Sequence, residues 1–196
     1  MRIAVIDSGI HEGHPHVGAV AGAVSFAGGD TVDRLGHGTA VAGAIRERIP
    51  HADLFAVKVF DRRLSATIEA LLAALAWCRE NRIDVVNLSL GTANPEHRAP
   101  LEAAVRDNGV VVSAADMLPG SLAGVVGVQA DESCPRDRYR FRDGRFRASP
   151  YPRPIPGVPP ERNLHGVSFA VANMTGFVAL ALEASGREGL WTALAR

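Results

Sequence analysis

The chain has 196 residues, which is enough for a single domain with one hydrophobic core. Hydrophobic residues make up 47% of it and charged residues 21%, as in ordinary globular proteins, and the formal net charge is zero. A neutral chain has no overall field that would attract nucleic acid or a membrane surface, so neither is expected as a partner. No run approaches 18 continuous apolar residues, and no membrane-spanning segment is predicted.

The first residues and the cysteines together predict a cytoplasmic location. Apolar residues Ile3–Ile6 follow the N-terminus at once, without the basic region, apolar region and cleavage site of a secretory signal. Cys78 and Cys134 could form one bridge, but two free thiols are expected in a chain without an export signal.

Apolar runs alternate along the chain with segments of helical periodicity. The runs are continuous, which is typical of strands buried on both faces. They are Ile3–Ile6, Leu54–Phe60, Val85–Leu90, Val110–Ala114 and Val125–Val128. The predicted helices between them are Thr39–Arg48, Ser65–Arg79 with Ser65 as its cap, and Pro100–Asn108. This alternation predicts an α/β fold, a three-layer αβα sandwich with a mainly parallel central sheet, in which residues 1–196 form one domain.

Six arginines between residues 136 and 147 surround a predicted β-hairpin. Asp143-Gly144 is typical of a two-residue turn, which would place Phe141 opposite Phe146 on one face and the arginines on the other. The arginine face could be solvated. It could also bind an acidic segment of a substrate or partner, because like charges that face each other across strands are unfavourable. Nucleic acid is not expected there, because no aromatic side chain is exposed between the arginines.

Three short segments each combine a reactive side chain with an element that can present it. Asp7 ends the first apolar run, and His37 and Ser168 each lie where a glycine-containing turn leads into a helix of small residues. A serine hydroxyl becomes a nucleophile when an imidazole accepts its proton, and the imidazole needs a carboxylate to fix its tautomer. These three side chains are therefore the candidate catalytic residues.

The segments around these residues resemble those of the subtilisin-like (subtilase) serine peptidases, which carry Asp, His and Ser in this order. The resemblance implies that Asp7 orients His37, that His37 acts as general base and acid, and that Ser168 forms an acyl-enzyme. It implies no cofactor.

The resemblance extends to two strand ends that would border the substrate. Asn87-Leu88-Ser89-Leu90-Gly91 resembles the family strand that pairs with the peptide substrate, so Ser89, Leu90 and Gly91 are candidate substrate-binding residues. Subtilases usually carry Ala-Ala-Gly-Asn on the following strand, and the Asn amide donates to the oxyanion. Ser113-Ala114-Ala115-Asp116 stands there in this chain.

Asp116 and the Ser168 backbone N–H therefore form the candidate oxyanion region. An ionised Asp116 would repel the oxyanion, whereas burial could raise its pKa and leave a protonated form that donates. Val167, at the position of the family's threonine, cannot supply that hydroxyl.

Several loops are shorter than is usual in the family. Phe60–Leu64 would form only part of one cleft wall, and Arg46–Asp53 lacks the common calcium-binding insertion. We expect an open cleft without structural calcium, which the substrate or a homo- or heteromeric partner could complete. His11, His14 and His16 could bind zinc, but His14-Pro15 matches a family turn, so a structural loop is favoured and no metal is expected.

Two functions remain open at this point. The first is a serine endopeptidase that cleaves a peptide or protein substrate, for example a dedicated intracellular protease that removes the leader from a peptide precursor. The alternative, motivated by Asp116 and Val167, is a catalytically weak or inactive subtilase that binds peptides or pairs with an active subunit.

Overall fold

The structure of the chain, a computed structural model, describes residues 1–195. Its eight strands form one sheet. They are β1 (Arg2–Asp7), β2 (Gly22–Ser25), β3 (Asp53–Lys58), β4 (Val85–Leu88), β5 (Val110–Ala114), β6 (Val126–Ala130), β7 (Tyr139–Arg142) and β8 (Arg145–Ala148). Their order across the sheet is β2-β3-β1-β4-β5-β6-β8-β7. All neighbouring pairs are parallel except β7 and β8, which confirms the predicted mainly parallel sheet.

The helices cover both faces of this sheet. They are α1 (His37–Arg48), α2 (Ile68–Glu80), α3 (Arg98–Arg106) and α4 (Val167–Leu194), with short 3₁₀ turns at Pro95–His97 and Pro160–Arg162. One hydrophobic core lies between the sheet and α1 with α4, and a second lies between the sheet and α2 with α3. The three-layer αβα arrangement predicted from the sequence is therefore confirmed.

The start of α2 differs from the prediction. Thr67, in extended conformation, precedes the helix, and its side-chain oxygen accepts a hydrogen bond from the Ala70 backbone N–H at 3.2 Å. A capping side chain must reach a free N–H within the first turn. Ser65 lies two residues too early to do so, and its prediction as the cap is wrong.

The predicted hairpin is confirmed, and it belongs to the central sheet. Its turn residues Asp143 and Gly144 have φ of 53° and 71°, and Phe141 pairs with Phe146 as predicted. Strand β8 pairs with β6, so the hairpin forms one edge of the sheet. Phe146 is buried and anchors this edge to α4 through contact with Trp191.

Helix α4 runs through the core and breaks at Gly186, whose φ of 65° and ψ of 178° are not helical. Within residues 1–195 it is the one helix long and apolar enough to cross a membrane, with a mean hydropathy of 1.5 over an 18-residue window. In the fold, 56% of that window is buried, as is typical of a core helix.

Candidate active site

The carboxyl ends of the parallel strands bring the candidate residues to one edge of the sheet. β1 lies beside β4, and β4 beside β5, so the chain leaves three neighbouring strands at this edge. Asp7 is the last residue of β1, Ser89–Gly91 follow β4, and Asp116 follows β5. Sites in open parallel sheets form at this edge because the connecting loops diverge there.

Asp7 and His37 form a close pair. His37 Nδ1 lies 2.8 Å from Asp7 Oδ1 and 2.9 Å from Oδ2. The Asp7 carboxylate is fully buried, and its Oδ1 also accepts the Ser8 backbone N–H at 2.7 Å. With Nδ1 donating to the carboxylate, Nε2 carries the lone pair and is free to accept a proton.

Glycine is required where the His37 segment meets the Asp7 segment. A Cβ on Gly38 would lie 2.1 Å from the Gly9 carbonyl oxygen and 3.2 Å from Asp7 Cβ. Gly36, which precedes α1, has a φ of 73°, in the left-handed region that favours glycine. These two glycines therefore let the first turn of α1 approach the end of β1 closely enough for the Asp7–His37 contact.

A second carboxylate, Asp33, organises the same turn and was not singled out in the sequence. Its Oδ1 accepts hydrogen bonds from Ser8 Oγ (2.8 Å) and from the backbone N–H groups of Leu35 (3.0 Å) and Gly36 (2.9 Å). Its Oδ2 accepts from the backbone N–H (2.9 Å) and the hydroxyl (2.6 Å) of Thr39. The available signal was an aspartate just before a helix start, a residue type that commonly satisfies the free N–H groups there.

The pKa of His37 reflects opposing effects. Burial lowers it, whereas the hydrogen bond from the ring to Asp7 and the negative charges of Asp7 and Asp33 raise it. The raising effects are larger together, so the pKa lies above the ordinary value of 6.5. A base with this property takes a proton from a weak acid more readily than an ordinary histidine.

Ser168 lies in the first turn of α4, beside the end of β4. Its Oγ donates a hydrogen bond to the Ser89 carbonyl at 3.2 Å, and Ser89 Oγ in turn lies 3.0 Å from the Ser168 carbonyl. The next residue, Phe169, packs against the His37 ring with 5.5 Å between ring centres. The structure thus joins Asp7 to His37 and Ser168 to Ser89, and the single hydroxyl proton of Ser168 is directed to Ser89.

Asp116 is not in the buried environment that a protonated carboxyl would need. Its side chain is 73% exposed, and its carboxylate accepts hydrogen bonds from Gln129 Nε2 at 3.2 and 3.3 Å. Arg145 Nη1 lies 3.9 Å from the same carboxylate. The burial that would let Asp116 donate to an oxyanion is therefore absent.

The ends of β4 and β5 are tied together beyond the candidate substrate strand. Thr92 and Leu118 exchange backbone hydrogen bonds of 2.9 and 3.0 Å. A Cβ on Gly91 would lie 2.7 Å from Met117 Cβ, so the Met117 side chain fills the space between the two strand ends. Leu90 remains half-buried beside it.

The histidine cluster and the cysteines supply no metal-binding group. His14 stacks edge-on against His11 and His16, and within residues 1–195 no three His, Cys, Asp or Glu side chains lie close enough to hold a metal ion. In the same residues Cys78 and Cys134 are buried free thiols, as predicted.

Known proteins resemble this chain in sequence. The sequence profile of the Subtilase family matches residues 1–128, a range that ends before Ser168. Subtilisin DY of Bacillus licheniformis is 34% identical over 135 residues, which are 62% of this chain and 48% of that protein. The aligned region therefore spans only about half of this relative's length.

Two solved structures share the fold. One, of a cold adapted subtilisin-like serine proteinase, has a TM-score of 0.73 and 21% identity, and the match covers 94% of this chain and 76% of that one. The other, of the prenylagaramide maturation protease PagA, has a TM-score of 0.68 and 25% identity, with 96% and 77% coverage. Because the family profile matches residues 1–128, well over half of this chain, the chain belongs to the subtilase family.

Proposed function

We propose that the chain is a serine endopeptidase that cleaves peptide bonds through Asp7, His37 and Ser168. The observation that carries this proposal is the buried Asp7 carboxylate, with both oxygens within 2.9 Å of His37 Nδ1. A buried carboxylate is costly unless it is paired, and this pair leaves Nε2 of a histidine with raised pKa available as a base. Membership of the subtilase family supports the same assignment.

Binding of the peptide substrate would release the nucleophile. An extended peptide that pairs with the residues after β4 brings a backbone N–H to the Ser89 carbonyl, the group to which Ser168 Oγ donates in the free chain. Once this acceptor is occupied, the Ser168 hydroxyl turns to His37 Nε2. Substrate binding and activation of the hydroxyl are then a single event.

The chemical steps follow from this arrangement. His37 Nε2 takes the Ser168 proton while Oγ attacks the peptide carbonyl, and the Ser168 backbone N–H in the first turn of α4 donates to the oxyanion. The Phe169 and Ala170 N–H groups already donate to the Gly166 carbonyl. The imidazolium then protonates the leaving nitrogen as the C–N bond breaks, which leaves an ester on Ser168. His37 then takes a proton from water as the water attacks the ester. The bond between the carbonyl carbon and Ser168 Oγ breaks, His37 returns the proton to Oγ, and the acid is released.

We further propose that the substrate is a peptide precursor processed in the cytoplasm, for example by removal of a leader. The maturation protease PagA, similar over 96% of this chain, supports the precursor as substrate class. The two free thiols suit a reducing compartment.

A second function is favoured by specific observations. Ser168 donates to Ser89 in the free chain, and an exposed carboxylate, Asp116, stands where the family usually has an amide donor. A subtilase with these features could bind peptides without cleaving them, either alone or beside an active subunit.

Labelling with a fluorophosphonate probe distinguishes the two functions. This probe reacts with a serine only when a neighbouring base activates it. We expect stoichiometric labelling of the wild-type chain and none of Ser168→Ala or His37→Ala, while Ser185→Ala, which removes an exposed serine on α4, labels as wild type. Equal labelling of wild type and Ser168→Ala would contradict the peptidase proposal. A peptide that binds without being cleaved, with the same affinity for wild type and Ser168→Ala, would support the second function.

A further inference from the structure

A cavity of about 370 Å³ opens beside the candidate catalytic residues, and its walls come from the continuations of all three catalytic segments. The loop after Asp7 contributes His11, His14 and His16. The turn and helix around His37 contribute Gly36 and Thr39, and the segment that leads to Ser168 contributes Asn163 and Leu164. Its volume is in the range of small-ligand sites, roughly 300–1,000 Å³.

The cavity is held open by hydrogen bonds between its walls. The His11 backbone N–H donates to Thr39 Oγ1 at 2.9 Å, and Arg153 Nη1 donates to the His16 carbonyl at 3.2 Å. Asn163 Nδ2 reaches the Arg153 carbonyl at 3.4 Å, and the Gly166 N–H closes the loop onto the Pro150 carbonyl at 2.9 Å. The site is thus formed without a ligand, which lowers the entropy cost of binding one.

The chemistry of the walls favours an apolar side chain. Ile155 and Leu164, on the same cavity, are 44% and 49% exposed, although side chains on such loops are usually polar. The facing imidazoles present flat ring surfaces. Burial, followed by the charge of Arg153, lowers the pKa of His16, which favours the uncharged form of this one imidazole.

The position of the cavity indicates which part of a substrate it receives. In the proposed reaction His37 gives its proton to the leaving nitrogen, so the residues after the scissile bond must pass His37. Gly36 and Thr39, which flank His37 in the chain, line the cavity, whereas Ser89–Gly91 do not appear in its lining. We propose that this cavity binds a bulky apolar side chain, aromatic or branched aliphatic, of the substrate on the carboxyl side of the scissile bond. This inference rests on the proposed peptidase function.

The test measures binding without cleavage. Dye-labelled tetrapeptides with a free amino terminus, which mimic the released fragment, carry one Phe at the first, second or third position in an Ala background. Their affinity for the Ser168→Ala chain is measured by fluorescence anisotropy. We expect one position at which Phe binds about tenfold more tightly than Ala, the gain from burying one large side chain.

Substitutions in the cavity wall assign the preference to this site. Leu164→Ala and Ile155→Ala should each reduce the preference for Phe severalfold, whereas Leu180→Ala, which removes an exposed leucine of α4 outside the cavity lining, should leave it unchanged. The inference is overturned if Phe is favoured at no position, or if the preference survives both cavity substitutions. If the chain prefers Phe but is not labelled by the fluorophosphonate probe, the peptidase proposal fails and the cavity assignment stands. If the chain is labelled but has no preference for Phe, only the cavity assignment is overturned.

Discussion

His37 lies between two carboxylates with different roles. Asp7 contacts Nδ1 directly, whereas Asp33 holds the turn on which His37 begins α1 and acts on the ring only through its charge. Burial lowers the pKa of His37, and the two carboxylates together raise it above 6.5. The proton affinity of His37 therefore depends on the negative charge of a buried carboxylate, Asp7, and of a partly exposed one, Asp33.

The pH dependence of probe labelling should follow His37. In the proposed reaction the neutral imidazole is the base, so the labelling rate should fall as the pH drops through the raised pKa, with an apparent midpoint above 6.5. In Asp7→Asn this midpoint should move down, because the hydrogen bond and charge that raise the pKa are lost. The maximum labelling rate should also fall. In another Ser-His-Asp enzyme the same Asp-to-Asn change lowers kcat by about 10⁴. Asp137→Asn, at an exposed aspartate far from His37 in the chain, is the control. A midpoint that Asp7→Asn leaves in place would contradict the assignment.

The raised pKa of His37 also affects the stability of the fold, and this effect depends on pH in the opposite direction to catalysis. A histidine whose pKa is higher in the folded than in the unfolded chain stabilises the fold fully below its unfolded value. That contribution is lost as the pH rises through the folded value. The conditions that favour catalysis by neutral His37 are therefore those in which its contribution to the free energy of unfolding is lost.

In the proposed peptidase, Asp116 stands where a subtilase usually carries the amide that donates to the oxyanion. Its exposed carboxylate accepts hydrogen bonds from Gln129, so it cannot also donate to a developing negative charge. Asp116→Asn removes the charge and supplies an amide donor, and we expect labelling to become faster by about tenfold or more, a part of the roughly 10²–10³ that one such donor contributes. The rate constant of labelling measures this, with Asp137→Asn as a control at an exposed aspartate. Slower labelling would mean that Asp116 acts through its contacts with Gln129 and Arg145.

At the scale of elements, the first turn of α1 depends on a side chain that lies outside the helix. Asp33 satisfies backbone N–H groups of the preceding turn and of Thr39, which the helix itself cannot satisfy. The buried Lys58 holds the same loop, through its Nζ at 2.8 Å from the Val32 carbonyl and 2.9 Å from Asp61 Oδ1. The position of His37 is thus fixed by a loop that two charged residues order.

Asp33→Asn should weaken both the fold and the site. The NH₂ group of the new asparagine side chain would face either the Thr39 N–H or the N–H groups of the preceding turn. A donor is then left unsatisfied, which lowers the free energy of unfolding by about 1–3 kcal/mol. Urea unfolding followed by circular dichroism measures the free energy, and probe labelling should slow in the folded protein. Asp30→Asn is the matched control in the same loop, because its carboxylate is exposed and pairs with Arg34. Equal free energies of unfolding for the two variants would show that Asp33 has no special role.

The elements that could be predicted are those with strong local signals. The five continuous apolar runs are β1, β3, β4, β5 and β6, and the turn at Asp143-Gly144 gives the hairpin and its register. Strand β2 was missed because its four residues, Gly22–Ser25, have no apolar run and form a strand only by pairing with β3. The cap of α2 was misplaced because Ser65 and Thr67 both satisfy the local pattern, and only the backbone direction distinguishes them.

The sequence predicted which reactive residues form the site, but not the hydrogen bonds that these residues make. Asp7, His37 and Ser168 were recognised by motif, and the Asp7–His37 contact follows from the fold. The bond from Ser168 to Ser89, the exposure of Asp116 and the bond from Ser8 to Asp33 depend on distances between segments far apart in the chain. Side-chain packing across such separations leaves no periodic signal in the sequence.

At the scale of the whole molecule, the arginine-rich edge is largely neutralised within the chain. Arg140 pairs with Asp131 at 2.6 Å, Arg136 pairs with Glu47, and Arg145 lies near Asp116. The counter-charge that the facing arginines require is therefore supplied in part by neighbouring loops. An acidic substrate segment remains a prediction for the exposed Arg142 at the hairpin turn.

The rates at which the two cysteine thiols are modified should measure how the edge of the sheet and the core unfold. Cys78 lies on α2 in the second core, where burial raises the pKa of its thiol to about 12, whereas Cys134 lies in the turn before the edge hairpin, where burial also raises the pKa. Thiols react as thiolates, so both should resist N-ethylmaleimide in the folded chain. Because edges open locally while core elements open only with the whole molecule, we expect Cys134 to react first and Cys78 only at the rate of global unfolding. Peptide mass spectrometry of time points measures both rates, and Cys78→Ser and Cys134→Ser isolate each thiol. Equal rates under native conditions would mean that the edge hairpin and the core unfold as one unit.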